Sequence, residues 1–312
     1  MSAPPKGIVP KISKKEMSEA IKRSGYLLEQ RVAPVLTEGG FYVEMNESYV
    51  DPETGKAREL DISGIGAVPV FRREFIFPII LCECKNNSQP VVFFTKESLI
   101  SFMYHEEVKV SGIPVKFWDK NRYIRLSEFT KMEKFHHYCK GEVATQYCSF
   151  QLKKDKSSWM AFHIEEQHEM FNSLIQALEY GISEHFSNFT LPPKGQEEGI
   201  NIQIYYPLVI LQSDLYSASL KKNRLSIRET DHVQFRKEIY LPGLNEWKKY
   251  QIDVITEKYL RDYLKLVMNE AERVSKTLRN KREQVRFSIN KIIAEVKKAK
   301  KKPESYREYF DF

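Results

Sequence analysis

The sequence predicts an α/β fold in which a central mixed β-sheet is flanked by helices in the order αβββαβ, with an insertion and a long basic C-terminal helix. Three observations carry this expectation. A helical pattern near the N-terminus is followed by two alternating segments and one almost wholly apolar segment. A second helical pattern precedes another buried apolar run. An apolar stripe then persists through the lysines and arginines at the end of the chain. With 312 residues, 42% of them apolar, the chain can bury a sizeable core.

Residues 1–12 hold three prolines and a glycine and read as a flexible lead-in. Ser13 then stands where its hydroxyl can cap a helix, with Glu16 completing a capping box. Met17, Ile21, Leu27, Leu28, Val32, Val35 and Leu36 give that helix a buried face. Pro34 should end or bend it, and Gly39-Gly40 stops the pattern.

Phe41–Asn46 reads as a strand, residues 51–55 as a turn, and Arg58–Val68 as the returning strand of a hairpin. Leu60 and Ile62 fall on one side of that strand, and Glu59, Asp61 and Ser63 on the other. Phe75–Lys85 begins apolar and turns polar at its end, as a central strand does when it emerges at a functional site. Residues 86–158 read as an insertion over the site, with a short strand at Val91–Phe94 and a helix over Lys96–Tyr104. Phe162–Phe186 is a second long helix, Leu191–Gly195 a loop, and Ile202–Leu211 a buried strand. Val233–Tyr240 and Tyr250–Ile255 supply further strands, so 13–215 forms the main domain and 216–255 packs on it. A single helix is expected from Thr256 to about Lys302, where Pro303 blocks it, within a basic segment 256–312.

Charge and cysteine usage narrow the class. The net charge of +7 resides in the C-terminal segment, where residues 261–312 hold 15 Lys and Arg against 8 Asp and Glu. Such a field favours a polyanion, although a charge run is more often a solvated face. No apolar run is long enough to span a membrane, no secretory signal is visible, and four cysteines in a chain of this length suggest free thiols. The expected location is cytoplasmic. No Gly-rich phosphate loop followed by Lys-Ser/Thr occurs, which argues against ATP hydrolysis.

The chemistry is concentrated in Glu29, Asp61, Glu83 and Lys85. Strand alternation puts Glu83 and Lys85 on one face and Cys82 and Cys84 on the other. Two carboxylates from neighbouring strands suit Mg²⁺, a hard cation that takes oxygen ligands. Asp61, Glu83 and the backbone carbonyl of Cys84 are the expected ligands, with Glu29 a candidate for a second ion or a water. Lys85 is expected to orient or deprotonate the attacking water.

The segments Leu27-Leu28-Glu29, Glu59-Leu60-Asp61-Ile62 and Leu81-Cys82-Glu83-Cys84-Lys85 resemble the PD-(D/E)xK nuclease superfamily, which has a restriction-endonuclease-like core. The match covers residues 14–85, extends over 160–212 as the second core helix and fourth core strand, and departs from the motif in having Leu60 in place of proline. The resemblance implies a Mg²⁺-dependent endonuclease acting on DNA, with Mn²⁺ able to substitute, in restriction, phage defence or DNA repair. It also implies a Gln or basic residue on the second helix, for which Gln167 and Gln176 are candidates, while Glu59 could assist Asp61. Two rivals stand beside it: an inactive nucleic-acid-binding or scaffold module of the same fold, and the same chemistry on RNA. A homodimer and partner proteins of a multi-component defence system are further expectations.

Weaker signals point elsewhere. His136, His137, Cys139 and Cys148 invite a zinc reading, but their spacing fits no familiar knuckle, so buried thiols and surface histidines are expected. Phe93, Phe94, Tyr104, Phe117, Trp118 and Tyr123 can stack bases or form the insertion's own core.

Overall fold

Ser13 accepts from the Glu16 backbone N–H while the Glu16 carboxylate accepts from that of Ser13, and this capping box opens α1 (Lys14–Arg23). The expected single N-terminal helix is in fact two. Ser24 takes an extended backbone (φ −83°, ψ 162°), and α2 (Tyr26–Glu38) starts afresh after Gly25. Pro34 lies within α2 without ending it. The computed structural model describes residues 11–51, 54–97, 108–162, 165–187, 199–241 and 245–299.

The hairpin of β1 (Tyr42–Val50) and β2 (Ala57–Ile65) is antiparallel, closed by a turn in which Asp51 accepts from the Thr54 hydroxyl at 2.7 Å. A short β3 (Val68–Phe71) leads into β4 (Glu74–Lys85), which lies antiparallel to β2. Then come β5 (Val91–Glu97), β6 (Lys109–Ile113), the small two-stranded sheet of β7 (Lys116–Asp119) and β8 (Arg122–Arg125), α3 (Leu126–Thr130), β9 (Glu142–Leu152) and β10 (Trp159–Phe162). α4 (Glu165–Ser187) crosses to β11 (Asn201–Leu211), which pairs in parallel with β4 from Asn201 opposite Phe75 to Leu211 opposite Lys85. The hairpin β12 (Leu215–Lys221) and β13 (Arg224–Thr230) and the strands β14 (His232–Leu241) and β15 (Glu246–Thr256) follow. The result is α/β, one large mixed sheet with helices against it, in the order β1-β2-β4-β11-β15-β14-β9-β5-β12-β13.

The centre of the sheet is its most buried part. Leu208, Val209 and Ile210 are fully buried with Ile202 and Ile204, each worth about 1.5–3 kcal/mol in removal from water. Segment 86–158 is no separate cover: β5, β6 and β9 are hydrogen-bonded into the same sheet. The helix expected from Lys96 begins as strand, since β5 runs through Glu97, and the rest of it, like the loop 191–195, lies outside the described residues. Phe93 and Phe117 are core, whereas Phe94 is exposed.

The C-terminal helix is also divided, at Lys281, into α5 (Leu260–Asn280) and α6 (Arg282–Ala299). Its stripe is covered within the chain: Leu264, Val267, Val274, Leu278, Ile289 and Ile292 are buried. α5 packs on β3, β4 and α2, and the Ser275 hydroxyl donates to the Pro69 carbonyl at 2.6 Å. α6 lies on β7 and pairs Arg286 with Glu74. Among the described residues no helix is long and apolar enough to cross a membrane.

Candidate active site

The site forms where β2 parts from β4. Their pairing runs from Ile65 opposite Ile79 to Ile62 opposite Cys82 and goes no further. At the next step the Asp61 carboxylate, rather than a backbone carbonyl, accepts the Cys84 N–H at 2.7 Å. A residue's N–H and C=O point to the same side of a strand, so the Cys84 carbonyl also faces this gap. On β1, the pairs Met45–Ile62 and Glu47–Leu60 bracket Asn46, which holds a left-handed backbone (φ 54°) directly across from Asp61. Asn tolerates that region better than most residues, and such departures gather at functional positions.

β4 carries Glu83 and Lys85 into the same gap. As alternation requires, they share a face, with Lys85 Nζ 2.8 Å from Glu83 Oε2. Cys82 and Cys84 lie on the other face, both buried, with sulfurs 3.9 Å apart. Glu29 arrives from the first turn of α2. A Cβ built on Gly25 would lie 3.8 Å from Glu29 Oε1 and 4.0 Å from the Cys84 carbonyl oxygen, so these two oxygens border one space. Asn86 fixes this junction by donating to the Ser24 carbonyl at 3.1 Å.

Burial and mutual repulsion act together on the acids of the gap. Glu83 is 5% exposed, and burial first, then Asp61 and Glu29, push its carboxyl up to about 7 against the opposing pull of Lys85. Glu29 is also raised, by burial and then by Asp61. Burial opposes the charge on Lys85, but Glu83 and then Asp61 outweigh it and raise its pKa. This raised pKa favours the charged, donating form of Lys85. When ionised, three carboxylates against one ammonium give an excess of negative charge around oxygen donors, and a hard divalent cation fits that donor set.

No family model, curated protein or solved structure matches the chain.

The remaining sequence candidates fall outside this convergence. Glu59 is exposed, opposite Ser48. Gln176 is buried on α4 with its carbonyl oxygen unpartnered, and among the described residues no hydrogen bond ties it to the acids. The Gln167 side chain lies outside the described residues. Tyr49 was not legible as a site residue. It is buried beside α4, donates to the Ser173 carbonyl at 3.0 Å, and is pushed up to about 12 by burial, with Glu83 adding to the rise against Arg58. Next to it a cavity of about 600 Å³ runs along the Glu83 face of β4, lined by Leu81, Ile79, Tyr180 and Gln203.

The histidines depart from the sequence expectation. His136 and His137 are buried, not at the surface. The ring of His137 is partnered by carboxylates, lying between Glu270 and Asp253 at 3.0 and 2.9 Å. Both acids are more than a hundred residues away along the chain, beyond the reach of any local spacing rule.

Proposed function

We propose that this protein is a Mg²⁺-dependent endonuclease that hydrolyses phosphodiester bonds of DNA, on a core like that of the PD-(D/E)xK superfamily. The observation that carries the reading is the meeting of Asp61, Glu83, Lys85 and Glu29 around the Cys84 carbonyl at the β2–β4 gap. The order α2, β1, β2, β4, α4, β11, with β11 parallel to β4, agrees with the topology such a core requires.

Asp61 and Glu83 would hold the ion with the Cys84 carbonyl, and Glu29 would hold a water or a second ion. When bound, Mg²⁺ neutralises charge on the phosphate and acidifies the attacking water, and Mn²⁺ can do the same. Asp61 is kept in place by the Cys84 N–H, so one carboxylate oxygen serves orientation and the other is left for the ion. Lys85, steadied by Glu83, places its ammonium where negative charge grows on the phosphate oxygens in the transition state.

The test is nicking of supercoiled plasmid in Mg²⁺ or Mn²⁺ by the wild-type chain, Asp61→Ala and Lys85→Ala. A loss of about 10²-fold or more is expected in each variant. Equal activity in all three would remove the site, and cleavage of RNA with DNA left intact would move the substrate to RNA.

A further inference from the structure

A second polar cluster lies where the turn His136–Cys139 meets β14, β15 and α5. The Asp253 carboxylate takes one imidazole on each oxygen: His232 Nε2 at 2.7 Å from Oδ1 and His137 Nε2 at 2.9 Å from Oδ2. His232 and Asp253 sit diagonally on one face of the β14–β15 pair, since Gln234 is opposite Asp253. The far nitrogen of His137, Nδ1, is 3.0 Å from both oxygens of Glu270, and the Tyr263 hydroxyl donates to Asp253 Oδ2 at 2.6 Å.

We propose that His137, His232 and Asp253 bind a divalent transition-metal ion, with Glu270 and Tyr263 as positioning residues. Two imidazole nitrogens and one carboxylate are the donor set of a borderline ion such as Zn²⁺, whereas Mg²⁺ prefers oxygen alone. A histidine ligand commonly donates its other N–H to a carboxylate, which fixes the tautomer and aims the lone pair. Glu270 stands in that relation to His137: with Nδ1–H directed at Glu270, the Nε2 lone pair faces the Asp253 oxygens, and a cation between them resolves the contact.

The surroundings separate this set from its neighbour. His136 Nδ1 accepts the Tyr138 N–H at 3.2 Å, so its Nε2 carries the proton. That Nε2 is buried without a hydrogen-bond partner, 3.5 Å from Glu270 Oε2. His136 is thereby a poor ligand through Nε2. The His137–His232–Asp253 group offers all its donor atoms within 4.8 Å of one another. His232 is the partly exposed member, at 18%, and gives the ion an entry path. At bond lengths near 2.1 Å, each imidazole nitrogen would move about half an ångström away from its Asp253 oxygen to admit Zn²⁺. The ion would tie the turn of the 86–158 segment to β14 and β15.

The chelator-treated full chain, titrated with Co²⁺, reports directly through the visible absorbance of cobalt bound by imidazole. The expected result is a saturable absorbance at one ion per chain, displaced by Zn²⁺, equal in wild type and Asp61→Ala, and lost in both His232→Ala and His232→Gln with unchanged circular dichroism. Zn²⁺ should also raise the melting temperature of the wild type but not of the His232 variants. No saturable absorbance in the wild type, absorbance that survives both His232 substitutions, or absorbance that disappears with Asp61→Ala would overturn the proposal; the first would leave His137 as a protonated bridge between two acids.

Discussion

Glu83 shows how a single side chain can be costly to the fold and useful to the site. Its carboxyl is raised from 4.5 to about 7, chiefly by burial. The folded chain therefore holds this proton more tightly than the unfolded chain does. The resulting contribution to stability is complete below pH 4.5 and is lost as pH rises through about 7, an effect on the order of 3 kcal/mol. Glu83→Gln removes the buried charge. In chelator at pH 8 it should melt several degrees above the wild type, and at pH 4.5 the difference should vanish. Mg²⁺ should then raise the wild type and leave Glu83→Gln unmoved, while plasmid nicking is lost in the variant. A Glu83→Gln protein that melts below wild type at pH 8 would contradict this account of the burial.

At the scale of elements, the position of Glu29 depends on how closely α2 approaches β2. Gly64 permits that approach, because a Cβ there would come within 2.8 Å of the Leu36 side chain. Gly64→Ala asks only Leu36 to rotate, but Gly64→Val should push α2 off the sheet. The expected cost is about 1–3 kcal/mol, seen as a lower melting temperature, together with weaker Mg²⁺ binding in calorimetry. Unchanged Mg²⁺ affinity would show that Glu29 takes no part in holding the ion. Elements of this kind were legible in the sequence wherever the signal is local. The periods of 3.6 and 2 located α2, β2, β4, α4 and β11, and alternation alone put Glu83 beside Lys85. The breaks at Ser24 and Lys281 were hidden because they rest on the backbone angles of one or two residues, in stretches whose apolar pattern continues across them. The pairing of β5 with β12 and of β9 with β14 was hidden because it joins segments distant along the chain. The same holds for the acids around His137.

For the molecule as a whole, the contact of α6 with β4 and the acidic site lie toward opposite ends of that strand. Arg286 of α6 pairs with Glu74 at the start of that strand, and Glu83 stands near its end. Nine residues of strand span about 30 Å, the length of roughly nine base pairs. A duplex cut at the Cys84 gap would meet α6 only through phosphates well away from the scissile one. Lys297→Gln with Lys298→Gln should therefore reduce the salt dependence of binding to long duplexes, by about one in slope for each phosphate no longer neutralised, and leave single-turnover cleavage at saturating DNA unchanged. An unaltered slope would assign these lysines to a solvated face.

The register of the three central strands has one more consequence. Glu83 stands opposite Val209 on β11, and Asp253 opposite the adjacent Leu208. The two acids are thus at one level of the sheet, their Cα atoms two strand spacings or about 10 Å apart and their side chains on opposite sides of it. The sheet is a thin partition between two charged chambers. At an effective dielectric constant near 20, a unit charge somewhat beyond that distance is felt as roughly 1 kcal/mol, a little under one pH unit. Were an ion held on each side, its charge would be felt by the acids of the other through the partition, without any movement of the backbone.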